Sequence, residues 1–176
     1  MKIFLTVLIT IAGLFIVLGV FIWSGVYNMA AVKPHRVPVV WLIEQARNRS
    51  IAVHSKDIPA SLLMDNPKVI AEGLECYHSM CRWCHGAPGF NRSEFALGLY
   101  PSPPPLGSGD VQGRRESELF WIVKNGLKMT GMPAFGPTHT DEQLWGTVAL
   151  LRRLPKLPAK EYKNLVQPDG PEKHVH

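Results

Sequence analysis

In Cys81-Arg82-Trp83-Cys84-His85, two thiols stand three residues apart and an imidazole follows the second directly. One helical turn separates the sulfurs, so both can bond one edge of a flat macrocycle while the histidine swings beneath its centre. This is the pattern by which c-type haem is attached, through two thioethers and one axial imidazole. At this chain's own Cys and His frequencies, such a pentapeptide is expected by chance about 0.002 times. A zinc site would want a second ligand pair, which Cys76 and the scattered histidines do not supply at a plausible spacing. A redox dithiol belongs in a βαβ setting, and no strand-period alternation is visible here.

Iron held in this way has a sixth position. A thioether suits electron transfer there, because it raises the reduction potential and changes little between the two oxidation states. Met129 and Met132 follow His85 by 44 and 47 residues, in the segment from Leu127 to His139. Met132-Pro133 is the expected ligand: proline stiffens the loop behind the sulfur, and Gly131 and Gly136 let the backbone approach a haem. Met129, His139 and an open position are the alternatives.

Helices must carry these groups. Asn66 as N-cap and Pro67 at the first helical position start a helix that should run to about Met80 and deliver Cys81. From Gly86 to Gly113 the chain is loop-rich, with Pro88, Gly89 and the run Pro101-Ser102-Pro103-Pro104-Pro105. That run cannot be helical and reads as a wrapping loop. Glu116 to Lys124 is a short helix with Leu119, Phe120 and Val123 on one face and Asn125-Gly126 as its stop. A last helix opens on the capping box Thr140-Asp141-Glu142-Gln143, with Leu144, Val148 and Leu151 at i, i+4, i+7 and Trp145 and Ala149 beside them. Arg152 and Arg153 suit its C-terminal dipole. The expected fold class is mostly α.

The chain has 176 residues, 46% hydrophobic and 19% charged, which excludes a long disordered or collagen-like chain. Three cysteines exclude a multi-disulfide scaffold. Residues 1–60 carry six Lys/Arg against two Asp/Glu, residues 61–151 seven against nine, and residues 152–176 six against three. The basic excess sits on the flanks and forms no stripe interleaved with aromatics, so nucleic acid is not an expected partner. Ile3 to Trp23 is 21 residues without a charge. As a helix it would rise about 31 Å, enough to cross a hydrocarbon core. A cleaved signal peptide is the alternative, but its apolar region would be unusually long, and Asn28-Met29-Ala30 before Ala31 has Asn where a small residue is wanted. An uncleaved anchor is expected.

Four regions follow: a transmembrane anchor over 1–27, a neck over 28–64, a haem domain over 65–156 and a tail over 157–176. In the neck, Pro34 and Pro38 interrupt helix, Val39 to Ala46 has room for a turn or two, and Pro59 closes the segment. The tail after Pro155 is polar and reads as loosely held. His54 and His78 read as surface residues, and His174 and His176 as part of a solvated tail. Orientation is contested: Lys2 precedes the span while Lys33, Arg36, Arg47 and Arg49 follow it, which by charge alone leaves the remainder in the cytoplasm. The haem motif argues for the opposite side, because attachment through two thiols is done outside the bacterial cytoplasm, and large domains translocate largely regardless of flanking charge. The motif decides.

With Cys81-Arg82-Trp83-Cys84-His85-Gly86 and Thr130-Gly131-Met132-Pro133-Ala134-Phe135-Gly136 in place, Asn66 to Pro155 resembles a class I c-type cytochrome. The whole chain is similar to single-haem, membrane-anchored cytochromes of proteobacterial respiratory systems. The resemblance implies a small helical domain around one covalent haem c, in which Gly73 and Tyr77 cross the last helix near Trp145. It also implies a proline carbonyl that accepts the proton of the ligand imidazole: Pro105 is the candidate, with Pro104 and Pro88 as alternatives. Cys76, five residues before the motif, departs from the usual pattern and reads as a buried, inert thiol or a link to a partner subunit.

The function expected is one-electron transfer without substrate turnover, by a membrane-tethered periplasmic carrier. Cys81 and Cys84 would tether the macrocycle, and His85 and Met132 would hold iron. Trp83 and the Pro-rich loop would shield one edge. The donor would be a quinol-oxidising complex or a dehydrogenase, the acceptor a terminal oxidase or reductase. Two rivals stand beside this: a haem subunit fixed within a larger redox complex, and a gas sensor or peroxidase-like protein with an open distal site.

Overall fold

Asn66 starts the element that carries the cysteines, its Oδ1 accepting from the Lys68 amide at 3.0 Å. In the computed structural model, which describes residues 1–167, this helix, α3, spans Pro67–Cys76. It continues through one wide, π-helical turn over Tyr77–Cys81 into a short helix, α4, over Arg82–His85. The expected helix is therefore longer, and the cysteines lie within it rather than just beyond its end. His174 and His176, with the rest of 168–176, lie outside the described residues.

Upstream, α1 spans Lys2–Trp23 and none of it is buried; it is long and apolar enough to cross a membrane. It belongs to a compact unit of its own, Met1–Pro34, and a second unit begins at His35. In that second unit α2 covers Val37–His54, where a neck with only a turn or two of helix was expected. Val40, Ile43, Arg47 and Ile51 recur at helical spacing and turn inward. Ile51 is 1% exposed and Ser55 fully buried. Their neighbour is α7, the helix Glu116–Asn125. The imidazole of His54 lies 5.8 Å from the ring of Trp121, and Arg114 donates to Asn48 Oδ1 at 2.9 Å.

The stretch from Gly86 to Gly113 holds two four-residue helices, Glu94–Leu97 (α5) and Gly109–Gln112 (α6), with the proline run between them. The final long helix, α8, spans Asp141–Arg153 and carries the capping box: Gln143 N donates to Thr140 Oγ1 at 3.3 Å, and Thr140 N to Gln143 Oε1 at 3.0 Å. Every residue from Leu144 to Leu151 is buried, so α8 is the axis of the core. Each large apolar side chain taken out of water there contributes about 1.5–3 kcal/mol. No strand occurs among the described residues.

The closest crossing is α3 on α8. A Cβ on Gly73 would stand 2.1 Å from the carbonyl carbon of Gly146, and one on Gly146 would stand 2.1 Å from the carbonyl oxygen of Val69. Two glycines back to back let the helix backbones touch, next to Trp145. Arg152 does more than complement the dipole, since it donates to the carbonyls of Gln112 and Arg114 and so ties α6 to α8.

The segment beyond Pro155 departs from expectation. Residues Ala159–Val166 form α9, and Tyr162 is fully buried among Leu74, Tyr77, Leu150, Leu151 and Leu154. The tail is polar on average, yet Tyr162 and Val166 fall at i, i+4 after Pro158 and turn to the core, while Leu165 stays exposed.

Candidate functional site

The turn Arg82–His85 puts Cys81, Cys84 and His85 at one end of the α3 helix, and Gly86, at φ +73°, ends it. Tyr77 anchors that end from below: its hydroxyl donates to the Gly86 carbonyl at 2.6 Å, and the side chain is 1% exposed. None of the three cysteines is joined to another by a disulfide. Burial pushes the Cys81 thiol up to about 12 and raises Cys84 as well. Cys76 is half-buried, its thiol also raised, first by burial and then by Glu75. A thiol held protonated is a poor nucleophile, in keeping with an inert Cys76.

His85 Nδ1 lies 2.9 Å from the Pro104 carbonyl oxygen. The N–H must be on Nδ1 for that contact, which leaves Nε2 as a lone-pair donor with no protein partner among the described residues. Burial and, secondarily, the nearby Arg92 hold the imidazole below its ordinary pKa, against the raising effect of the Pro104 carbonyl. A neutral imidazole is what a metal needs. The acceptor is Pro104 rather than Pro105, whose carbonyl accepts from the Ser108 amide at 3.0 Å in the turn that leads to α6. Pro105 instead lines a cleft of about 360 Å³ beside His85, with Tyr77, Arg92, Leu106 and Leu154.

The second candidate ligand sits on a braced loop. Gly126 ends α7 at φ +66°, a conformation that side chains rarely adopt, and a Cβ there would meet the Pro133 carbonyl carbon at 2.7 Å. Leu127 N donates to the Met132 carbonyl at 3.2 Å, and Thr130 Oγ1 bridges the Leu127 carbonyl and the Met132 amide. Met132 is half-buried against the cluster of Val111, Leu119, Phe120, Trp145 and Val148, on which Leu106 also packs. Met129 points away, at φ +60° and 69% exposed. His139 bonds Thr138 Oγ1 at 2.8 Å.

A haem fits this donor set. The chain offers two thiols one turn apart, an imidazole whose tautomer is fixed by the Pro104 carbonyl with Nε2 left bare, and a half-buried thioether on a braced loop, which is the donor chemistry of a covalently attached haem. Trp83 lies on the outer side of the turn, 43% exposed, its Nε1–H donated to the Ser79 carbonyl at 2.9 Å and its ring covered by the Arg82 guanidinium at 4.0 Å.

Sequence reasoning missed a supporting layer. His78 is no surface residue: its Nδ1 lies 3.2 Å from the Tyr162 hydroxyl, and its ring meets Phe90 edge-on at 5.3 Å. Gly89 packs against Ala159 and Lys163 of α9, so the loop after His85 is clamped by the tail helix. The crossing was expected from Gly73, but its partner Gly146, the one glycine of α8, was not singled out.

Residues 68–151 match a family model described as cytochrome c oxidase, cbb3-type, subunit III. No curated protein matches the chain.

Proposed function

Residues 68–151 are a c-type cytochrome domain whose cofactor is one covalently bound haem c, and from that premise we propose a membrane-tethered, periplasmic one-electron carrier with His85 and Met132 as axial ligands. Bound haem supplies an Fe(III)/Fe(II) couple; the chain supplies its attachment, ligands and surroundings. Cys81 and Cys84 would hold the macrocycle by thioethers, so that the cofactor would not exchange. The observation that carries the reading is the 2.9 Å contact between His85 Nδ1 and the Pro104 carbonyl. It fixes the ring orientation and makes Nε2 a better donor, which would favour the oxidised site, whereas a Met132 thioether ligand would raise the potential.

Met132 is supported over Met129 by burial and bracing, and an exposed, left-handed Met129 has neither. The two-thiol attachment motif and the apolar α1 support a haem domain outside the cytoplasm with α1 as anchor. Redox partners in a respiratory chain follow, donor and acceptor being a quinol-oxidising complex or dehydrogenase and a terminal oxidase or reductase. A fixed subunit of a larger complex is the second reading, favoured by the description of the matching family as an oxidase subunit. Co-purification of further subunits after mild detergent extraction would select it.

Carbon monoxide tests the ligation. The visible spectrum of the reduced, detergent-extracted protein is expected to stay unchanged on adding the gas. Met132→Ala is expected to bind it at once while retaining covalent haem, and Met129→Ala to behave as the parent. A prompt shift in the parent would overturn the carrier and favour a sensor or catalyst.

A further inference from the structure

The outward side of α2 is the largest feature that electron transfer leaves unexplained. Val37 to Ile43 is seven residues without a charge, apolar in every direction around the helix. A helix of that kind is stable only when covered on all sides. Its own domain covers one side, where Val40 and Ile43 are half-buried. The other side is bare: Val37 is 80% exposed, Trp41 60% and Leu42 62%. Ala46, Arg49 and Val53 continue the Leu42 stripe at i+4, i+7 and i+11.

Charge indicates what covers it. Glu44, the one carboxylate of α2, is turned to Arg47 at 3.7 Å. Lys33, Arg36 and Arg49, which flank the apolar run, meet no carboxylate among the described residues. Aliphatic side chains with one tryptophan, bordered by free cations, match the boundary between acyl chains and anionic headgroups rather than another protein's apolar core.

We infer that the first half of α2 lies on the surface of an anionic phospholipid bilayer, with Val37, Trp41 and Leu42 in the acyl boundary and Arg36 and Arg49 at headgroup phosphates. The inference rests on the membrane-tethered reading above. It makes α2 a second membrane contact, one that limits how the haem domain can tilt.

A nitroxide at Leu42→Cys tests it, in full-length holoprotein carrying Cys76→Ser and placed in liposomes of phosphatidylethanolamine and phosphatidylglycerol. Collisions with oxygen report lipid, and collisions with a water-soluble nickel chelate report water. The oxygen-to-nickel ratio is expected to be about tenfold above that of a label at Lys160→Cys on α9. Trp41→Cys should repeat it. A ratio equal to that at Lys160 overturns the inference, and so does shielding from both reagents, which would mean a protein cover. An alkaline carbonate wash separates the two readings. Protein that resists the wash with label 42 in water keeps the anchor and loses the α2 contact. Protein that washes off loses the anchor, whatever label 42 reports before the wash.

Discussion

At Tyr77 a single hydroxyl holds the end of the cysteine-bearing helix. Tyr77→Phe removes the donor to the buried Gly86 carbonyl and leaves that oxygen unpaired. The expected loss is about 1–3 kcal/mol, read as a lower urea midpoint at unchanged slope, with the haem still attached. Tyr162 gives the pH dependence. Burial pushes its phenol up to about 12 from an ordinary 10. A group whose folded pKa is raised holds its proton more tightly when folded, so its contribution is complete below pH 10 and is lost as pH rises to about 12. Urea midpoints at about pH 9 and about pH 11 should therefore differ less in Tyr162→Phe than in the parent. Equal differences would remove Tyr162 from the alkaline loss. The motif cysteines and His85 were legible in sequence because covalent chemistry demands one spacing. The Pro104 carbonyl was not, since any of several prolines offers an acceptor and only the path of the folded loop decides which one reaches Nδ1.

Among elements, the α3–α8 crossing tolerates nothing at its centre. Gly73→Ala would drive a methyl into the Gly146 backbone, which cannot rotate away as a side chain can. The expected cost is at least about 1–3 kcal/mol, and a failure to accumulate haem-loaded protein is the extreme outcome; circular dichroism melting of whatever is recovered checks it. Ile51→Ala should cost about 2–5 kcal/mol, although Ile51 lies outside the region that carries the haem motif. A change under about 0.5 kcal/mol would mean that α2 is a loose tether after all. Helices with a cap and an apolar period, α3, α7 and α8, could be read directly. The inward stripe of α2 was hidden because its opposite side is apolar too, so no clean periodicity remained. For α9 the polar average of the tail masked one short face built around Tyr162.

For the whole molecule, the folded unit beginning at His35 predicts where a protease enters. Subtilisin should cut first within residues 24–34, outside α1 and α2, and release a haem-bearing fragment that starts near His35. Early cuts within 37–54 would contradict a docked α2. The tail helix has a consequence in time as well as in space. Chains emerge from the ribosome amino end first, and Tyr162 follows His85 by 77 residues. At about 5–20 residues per second, α9 becomes available only some 4–15 s after the cysteines. Until then Gly89, Phe90 and His78 lack their clamp, and Cys81 is not yet sealed in the folded interior. In a chain exported while it is being made, this order of synthesis leaves an interval for joining the haem before α9 closes against the loop after His85.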